Sequence, residues 1–363
     1  MSIKILHAAD FHLDSAFAGL SSEQAKLRRR EGRQLLERLS NYVNQQGIEI
    51  VLLAGDLFDS ATTYRETIEQ LIDALGSMQA KVFIAPGNHD FYSAHSPYAT
   101  LVWPENVHIF RTREIERVEL PELSCAVYGA AFTDATQERS LLDGFTAGGD
   151  GFTNLMVLHG DLNAAEARYD PITREQIAAS GLDYLALGHT HRFDGVLIAG
   201  KTAYAYAGCP EGRGFDETGE KGVLCGTVGD GEINIKFIPF ARRRYEILRV
   251  DVTDRIPDEA LAAAMPETAA SDLCRVIFTG ETGERGVDIK SIQEHFALDF
   301  FHLELRDETR IREDIWARAQ EDSLRGLFLR ELRGRYETAP EDERLAIEKA
   351  VRFGLAALDK RDL

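Results

Sequence analysis

Along the first two thirds of the chain, apolar runs rich in Ile, Val and Leu alternate with longer stretches of 3.6-residue period. That is the pattern of a layered α/β protein. "IKILHAA" (3–9), "IEIVLLA" (48–54) and "KVFIA" (81–85) read as buried strands. Leu27, Leu35, Leu36, Leu39, Tyr42 and Val43 predict one apolar stripe on a helix over 22–46, and a second helix is predicted over about 64–79. Further strands are predicted at 124–130, 153–159, 183–188, 222–228, 232–238 and 245–252. The turn signal "VGDGE" at 228–232 makes the sheet partly antiparallel. No internal repeat is visible.

After Val252 the texture becomes acidic and helix-rich, which sets a boundary near residue 253. The expected organisation is a catalytic domain over 1–252, a small α/β capping domain over 253–310, and C-terminal helices over 311–363. Leu324, Leu327, Phe328 and Leu332 form one helical stripe; Ile347, Val351, Gly354, Leu355 and Leu358 form another. Between them, Thr338-Ala339-Pro340-Glu341 has capping-box spacing.

Hydrophobic content of 44% fits a folded protein throughout. MSIKILHAAD runs directly into a strand pattern without a signal peptide, and no apolar run approaches the roughly 18 residues of a membrane span. The four scattered cysteines (125, 209, 225, 274) read as reduced thiols of a cytoplasmic protein. Of the net charge of −19, −11 falls on residues 1–252 and −8 on 253–363. Two divalent cations would bring the first part to about −7. Such acidity opposes nucleic-acid binding by the chain alone. It leaves room for a local basic strip, Lys26, Arg28, Arg29, Arg30 and Arg33, whose bland reading is a solvated helix face.

Five strand ends carry the candidate chemistry: Asp10-Phe11-His12, Gly55-Asp56-Leu57-Phe58-Asp59, Gly87-Asn88-His89-Asp90, His159-Gly160 and Gly188-His189-Thr190-His191. In an α/β sheet the carboxyl ends of strands line the ligand crevice. One His or Asp at a strand end is ordinarily a cap; five such ends together are not. Imidazoles, carboxylates and an amide without thiolate suit divalent first-row metals. Asp10, His12, Asp56, Asn88, His159, His189 and His191 are too many for one ion. They fit two ions sharing a carboxylate, the arrangement that clamps the attacking and leaving oxygens of phosphoryl transfer.

In this order the motifs resemble the calcineurin-like metallophosphoesterase superfamily over about residues 1–240. The resemblance implies an α/β layered fold of two mixed β-sheets flanked by helices, with a smaller C-terminal region. It implies that Asp10, His12, Asp56 and His191 hold one metal, and Asp56, Asn88, His159 and His189 a second. His89 would then protonate the leaving oxygen, with Asp59 and Asp90 as supporting residues, after in-line attack by a hydroxide bridging two ions. Mn²⁺ is the expected metal, with Zn²⁺ or Fe as alternatives.

Substrate class rests on two further stretches. "ILHAADFHLDSAFAGL" and "AGCPEGRGFDETGEKGV" (207–223) resemble DNA-repair exonucleases of the SbcD type. Read blandly, the second is a Gly-rich hairpin. Asp59-Ser60-Ala61 departs from the Asp-Arg-Gly of protein Ser/Thr phosphatases, while Asp14 and the short C-terminal region depart from SbcD proper. The resemblance implies a two-metal DNA exonuclease or endonuclease working with DNA and an SMC-like ATPase, and it admits a homodimer. The alternatives are a diesterase or phosphatase on a small nucleotide, and a non-catalytic scaffold.

Overall fold

The computed structural model describes residues 2–59, 63–149, 151–162, 168–282, 286–311 and 316–359. Ser60 and Ala61 lie outside the described residues. The chain divides into two compact units. The first comprises Met1–Leu248, Pro266–Arg275 and Phe296–Glu304; the second comprises Arg249–Met265, Val276–His295 and Leu305–Leu363. These units differ from the sequence division at 252 and 310. Arg244 pairs with Asp272 at 2.9 Å, and Arg243 lies 3.6 Å over the Phe301 ring, which ties both short segments to the first unit.

In chain order the strands of the first unit begin with β1 (Ile3–Ala8), β2 (Ile50–Leu53), β3 (Lys81–Ile84) and β4 (Val107–Ile109). They continue with β5 (Glu116–Leu120), β6 (Cys125–Gly129), β7 (Thr153–His159), β8 (Tyr184–Gly188), β9 (Leu197–Ala199) and β10 (Thr202–Tyr206). The hairpin β11 (Gly222–Gly229) and β12 (Glu232–Pro239) follows. Two six-stranded mixed sheets result, ordered β12-β11-β1-β2-β3-β4 and β5-β6-β7-β8-β10-β9. Strands β1 to β4 pair in parallel, and so do β6, β7, β8 and β10. β4, β5, β9 and β10 are additions to the sequence reading. They are short or, like "TAYAY" in β10, carry Ala where a long Ile/Val/Leu run would have signalled a strand.

Period-two alternation assigns the faces. Ile3, Ile5, Ile50, Leu52 and Phe83 of the first sheet meet Val127, Leu155, Val157, Tyr184 and Ala186 of the second in one buried core. Leu6, Val51, Leu53, Val82 and Ile84 point outward, onto α1 (Ser22–Gln46) and α2 (Arg65–Gly76). Besides the short α3 (Pro97–Thr100), α4 (Arg174–Ala179) packs Ile177 on the outer face of the second sheet. Ser21 and Gln24 form a capping box at the start of α1, and Gly47 ends it at φ 60°. Arg28, in the expected basic strip, is instead buried, with Glu31 at 2.8 Å and Glu211 at 2.9 Å. Leu27, expected in the stripe, is only half buried.

The two sheets approach closely at the carboxyl ends of β1, β2 and β8. A Cβ on Gly188 would lie 1.8 Å from the Ala54 carbonyl oxygen and 3.0 Å from the Ala9 Cβ, so only glycine fits there.

β13 (Tyr245–Asp251), β14 (Leu273–Thr279) and β16 (His302–Asp307) form a three-stranded sheet, and the unit boundaries fall within these strands. The second unit also contains α5 (Pro257–Ala264), α6 (Ile289–His295) and the short pair β15 (Glu281–Thr282) and β17 (Arg310–Ile311). It ends in α7 (Leu324–Thr338) and α8 (Glu341–Asp359). Phe328, Leu329, Leu332, Ile347, Val351 and Leu355 pack the two helices together, while Leu324, Leu327, Phe353 and Leu358 stay exposed. Thr338 does not form the expected capping box: its hydroxyl donates back to the Gly334 and Arg335 carbonyls, and α8 begins after Pro340. No described helix is long and apolar enough to cross a membrane.

Strand parity turns His7 into the core between the sheets. Its Nδ1 accepts from the Tyr184 hydroxyl at 3.0 Å, and its Nε2–H donates to the Leu187 carbonyl at 3.1 Å. Burial pushes its pKa from 6.5 down to about 3. The unfolded chain therefore binds this proton below about 6.5 and the folded chain only near 3, so stability is lost as pH falls through that window. In EDTA-treated protein, His7→Gln should flatten the fall in unfolding free energy between pH 6 and 5 by about 1 kcal/mol. Equal slopes in urea titrations of the two proteins would remove His7 from the account.

Candidate metal centre

The strand pairing that positions the site continues past the strands themselves. Asp10 N donates to Gly55 O at 3.0 Å, His12 N to Asp56 O at 2.9 Å and Leu13 N to Leu57 O at 2.9 Å. Asp10, His12, Asp56 and His189 adopt φ of 54°, 42°, 50° and 102°. For residues other than glycine, such backbone costs on the order of 1–3 kcal/mol each and persists only where the surroundings impose it. Gly55 and Gly87 make the approach possible. A Cβ at Gly55 would meet His159 Nδ1 at 2.6 Å, and one at Gly87 would meet Asp56 Oδ1 at 2.3 Å.

Asp90 knits these loops together. Its carboxylate accepts from Gly87 N (2.8 Å), Asp56 N (3.3 Å), Leu57 N (2.7 Å), Phe58 N (3.2 Å) and the Tyr98 hydroxyl (2.6 Å). Burial and the neighbouring Asp56 raise its pKa, while these donors pull it back.

Among the described residues, three groups bring donor atoms within 4.8 Å of one another: Asp10, His12 and His191; His12, Asp56 and His89; Asp10, Asp56 and His159. Asp56 Oδ2 stands 3.6 Å from His12 Nε2 and 3.5 Å from His159 Nε2. Asn88 Oδ1 is 2.9 Å from His159 Nε2. The His189 ring lies 5.2 Å from the His159 ring and 4.9 Å from Tyr169, and its backbone N–H donates to both Asp10 oxygens at 3.1 Å. His89 is exposed at the rim; its N–H donates to Asp56 Oδ1 at 2.9 Å, and its Nδ1–H to the Asp59 carbonyl at 3.2 Å.

The outer ring nitrogens decide which way the lone pairs point. His12 Nδ1 lies 3.1 Å from Asp59 Oδ1, His191 Nδ1 2.7 Å from Glu217 Oε1, and His159 Nδ1 3.0 Å from the Ala54 carbonyl. For His12 and His159 the partner only accepts, so Nδ1 carries the proton and the Nε2 lone pair faces inward; His191 Nδ1 meets the Arg213 guanidinium as well as Glu217, and its partners do not fix its tautomer. One acceptor pair then meets, His159 Nε2 with Asn88 Oδ1 at 2.9 Å, while His12 Nε2 turns its lone pair toward His191 Nε2 at 3.2 Å. Extra protons are no remedy, because burial drives His12, His159 and His189 down to about 4. A cation relieves the meeting of His159 with Asn88 and can take the inward lone pair of His12. The donor set fits divalent metal.

Arg213 and Glu217 escaped the sequence reading as site residues. Arg213 donates to Glu217 Oε1 at 2.7 Å and to Asp59 Oδ1 at 3.2 Å, and comes within 2.9 Å of His191 Nδ1. Burial opposes ionisation of Glu217, but His191 and Arg213 outweigh it and hold its carboxyl well below the usual range. Asp59 is lowered by its hydrogen bond from His12. Burial first, and then the Asp56 charge, push Asp10 well above the usual carboxylate range. The one sequence signal for Arg213 and Glu217 was their place in the 207–223 stretch.

Residues 3–193 match the calcineurin-like phosphoesterase family. The uncharacterized metallophosphoesterase YhaO of Bacillus subtilis (strain 168) is 30% identical over 281 residues, covering 73% of this chain and 67% of that protein. The SbcD component of the nuclease SbcCD from the same organism is 24% identical over 258 residues, covering 60% of this chain and 64% of that component. With its strand-end motifs gathered into one centre and the match spanning more than half its length, the chain belongs to the calcineurin-like phosphoesterase family, whose chemistry is metal-dependent hydrolysis of phosphoesters.

Proposed function

We propose that the chain is a two-metal phosphodiesterase whose substrate is DNA. The observation that carries the two-metal reading is Asp56, whose single Oδ2 stands between His12 Nε2 and His159 Nε2. On this reading Asp10, His12, Asp56 and His191 hold one cation, and Asp56, Asn88, His159 and His189 the other. When bound, two such cations clamp the attacking and leaving oxygens of an in-line displacement at phosphorus. The rest falls to the chain. Asp59 keeps the proton on the outer nitrogen of His12, and Glu217 with Arg213 grips that of His191, which holds the rings in register. Asp90 fixes the loops that carry Asp56 and Asn88. His89, held through Nδ1 at the rim, is placed to pass a proton from Nε2 to the leaving oxygen. The N/O donor set suits Mn²⁺, with Zn²⁺ or Fe as alternatives.

The DNA reading is supported by the similarity to the SbcD component of the nuclease SbcCD. The net charge of −19 favours a second reading, a diesterase or phosphatase on a small nucleotide. An SMC-like ATPase is the partner the first reading implies, and the exposed Leu324, Leu327, Phe353 and Leu358 of the C-terminal helices are available to it.

Wild-type protein saturated with Mn²⁺ should bind two ions per chain, and Asp56→Asn should weaken both sites. His89→Asn should keep two metals while activity falls about 10²–10⁴-fold. A wild-type stoichiometry of one, or loss of metal from His89→Asn, would contradict the assignment.

Bis-p-nitrophenyl phosphate should be hydrolysed far faster than the monoester, and labelled DNA should be cleaved with Mn²⁺. Hydrolysis of a cyclic nucleotide without cleavage of any DNA would favour the second reading. A chain ending near residue 320 should retain diester hydrolysis and no longer co-purify with the ATPase; undiminished co-purification would put the partner's contact elsewhere.

A further inference from the structure

Lys26, Arg29, Arg30 and Arg33 stand at i, i+3, i+4 and i+7 of α1, so one stripe of the helix carries four cations. Arg28, between them in sequence, turns the other way and is neutralised in the core by Glu31 and Glu211. The stripe of four runs against what a helix prefers. Lys26 with Arg30, and Arg29 with Arg33, are like charges four residues apart, and all four lie in the N-terminal half, where the helix dipole favours acids. Helix stability therefore gives no reason for the stripe in a chain of net charge −19.

These four side chains line a groove of about 700 Å³ together with Glu23, Leu27, Tyr64 and Glu66. Arg33 is partly held, by Asp14 at 3.8 Å and Glu66 at 3.7 Å, and Arg29 donates to the Ala16 carbonyl at 3.2 Å. Lys26 and Arg30 are exposed, one helical turn apart. Tyr64 is 61% exposed, so its ring is open to water at the groove. The groove adjoins the metal centre through a short stretch of chain. Asp14, two residues beyond His12, accepts from Tyr64 N at 3.0 Å and from the Thr67 hydroxyl at 2.8 Å, and so joins the groove wall to the loop that carries His12.

We propose that this groove binds the phosphate backbone of an unpaired nucleic-acid strand on its way to or from the metal centre. Lys26 and Arg30 contact phosphates, and Tyr64 stacks a base. Stacking on an aromatic ring and a cationic track along the backbone are together the means by which single strands are held without reading sequence. Arg29 and Arg33, already engaged with the chain, set the potential rather than the contacts. The inference rests on the DNA reading above, and its test is built to fail separately.

The double variant Lys26→Ala/Arg30→Ala removes two phosphate contacts from residues outside the metal centre. For single-stranded DNA its KM should rise about 10- to 100-fold, and the slope of log KM against log salt should fall by about 1.4, at about 0.7 per contact. Tyr64→Ala should raise KM without changing that slope. Both variants should hydrolyse bis-p-nitrophenyl phosphate like the wild type. Unchanged KM and slope for DNA, or an equal loss on the small diester, would overturn the groove assignment. Binding of a labelled single-stranded oligonucleotide in EDTA, read by fluorescence anisotropy, separates the two claims. If wild type cleaves no DNA yet binds the oligonucleotide and the double variant does not, the groove stands and the nuclease reading falls. If wild type does not bind it, the groove falls too.

Discussion

One buried carboxylate, that of Asp90, sets the geometry on which the centre depends. It receives five hydrogen bonds, four from the backbone of two different strand-end loops and one from the Tyr98 hydroxyl. Only an ionised carboxyl has acceptor sites enough for such a set, and an amide would present donors to some of these N–H groups. Each bond to a charged acceptor is stronger than a neutral one, and together they offset the left-handed backbone of Asp56. The position of Asp56 between His12 and His159 follows from that knot, and so does the exposure of His89.

A second layer of charge acts through the imidazoles. Arg213 joins Glu217 to Asp59, so the carboxylates behind His191 and His12 share one guanidinium. Without it, two more anions would stand beside Asp10 and Asp56. The loop that bears Arg213 is itself anchored by Arg28, which donates to Glu211 at 2.9 Å and to the Gly212 carbonyl at 3.0 Å. A buried ion network of this kind contributes little net stability compared with an apolar one, yet removing one member leaves its partners uncompensated.

The strand-end residues stood out because each follows a largely apolar strand, and parity alone carries His159 to the same face as Leu155 and Val157. The runs alone gave a layered α/β protein with a partly antiparallel sheet; two mixed sheets flanked by helices came from the family resemblance that the motifs carry. Residues whose meaning depends on a distant partner were not legible. Arg28 looks like its basic neighbours until Glu31 and Glu211 close around it. Glu217 looks like a turn acid until His191 is placed 2.7 Å away. "TAYAY" shows no Ile/Val/Leu run because its two faces divide the work, Ala203 and Ala205 turning to the core between the sheets and Tyr204 to the outer core. Thr338 had capping-box spacing, but the helix it belongs to runs on to include it.

The close approach at Gly188 has a bearing on how such a centre can arise during folding. Asp10, His12, Asp56 and Asn88 come from loops of one sheet, His159, His189 and His191 from loops of the other, and Gly188 lets the two backbones meet between them. Neither sheet alone assembles a full set of donors. On the proposed assignment the site is a product of docking, not of strand formation: cations held by these seven residues would meet them together only after the sandwich has closed. Their binding energy would then accrue to the docked arrangement alone, and such ions would act as a latch on the finished architecture and not as a template for building it.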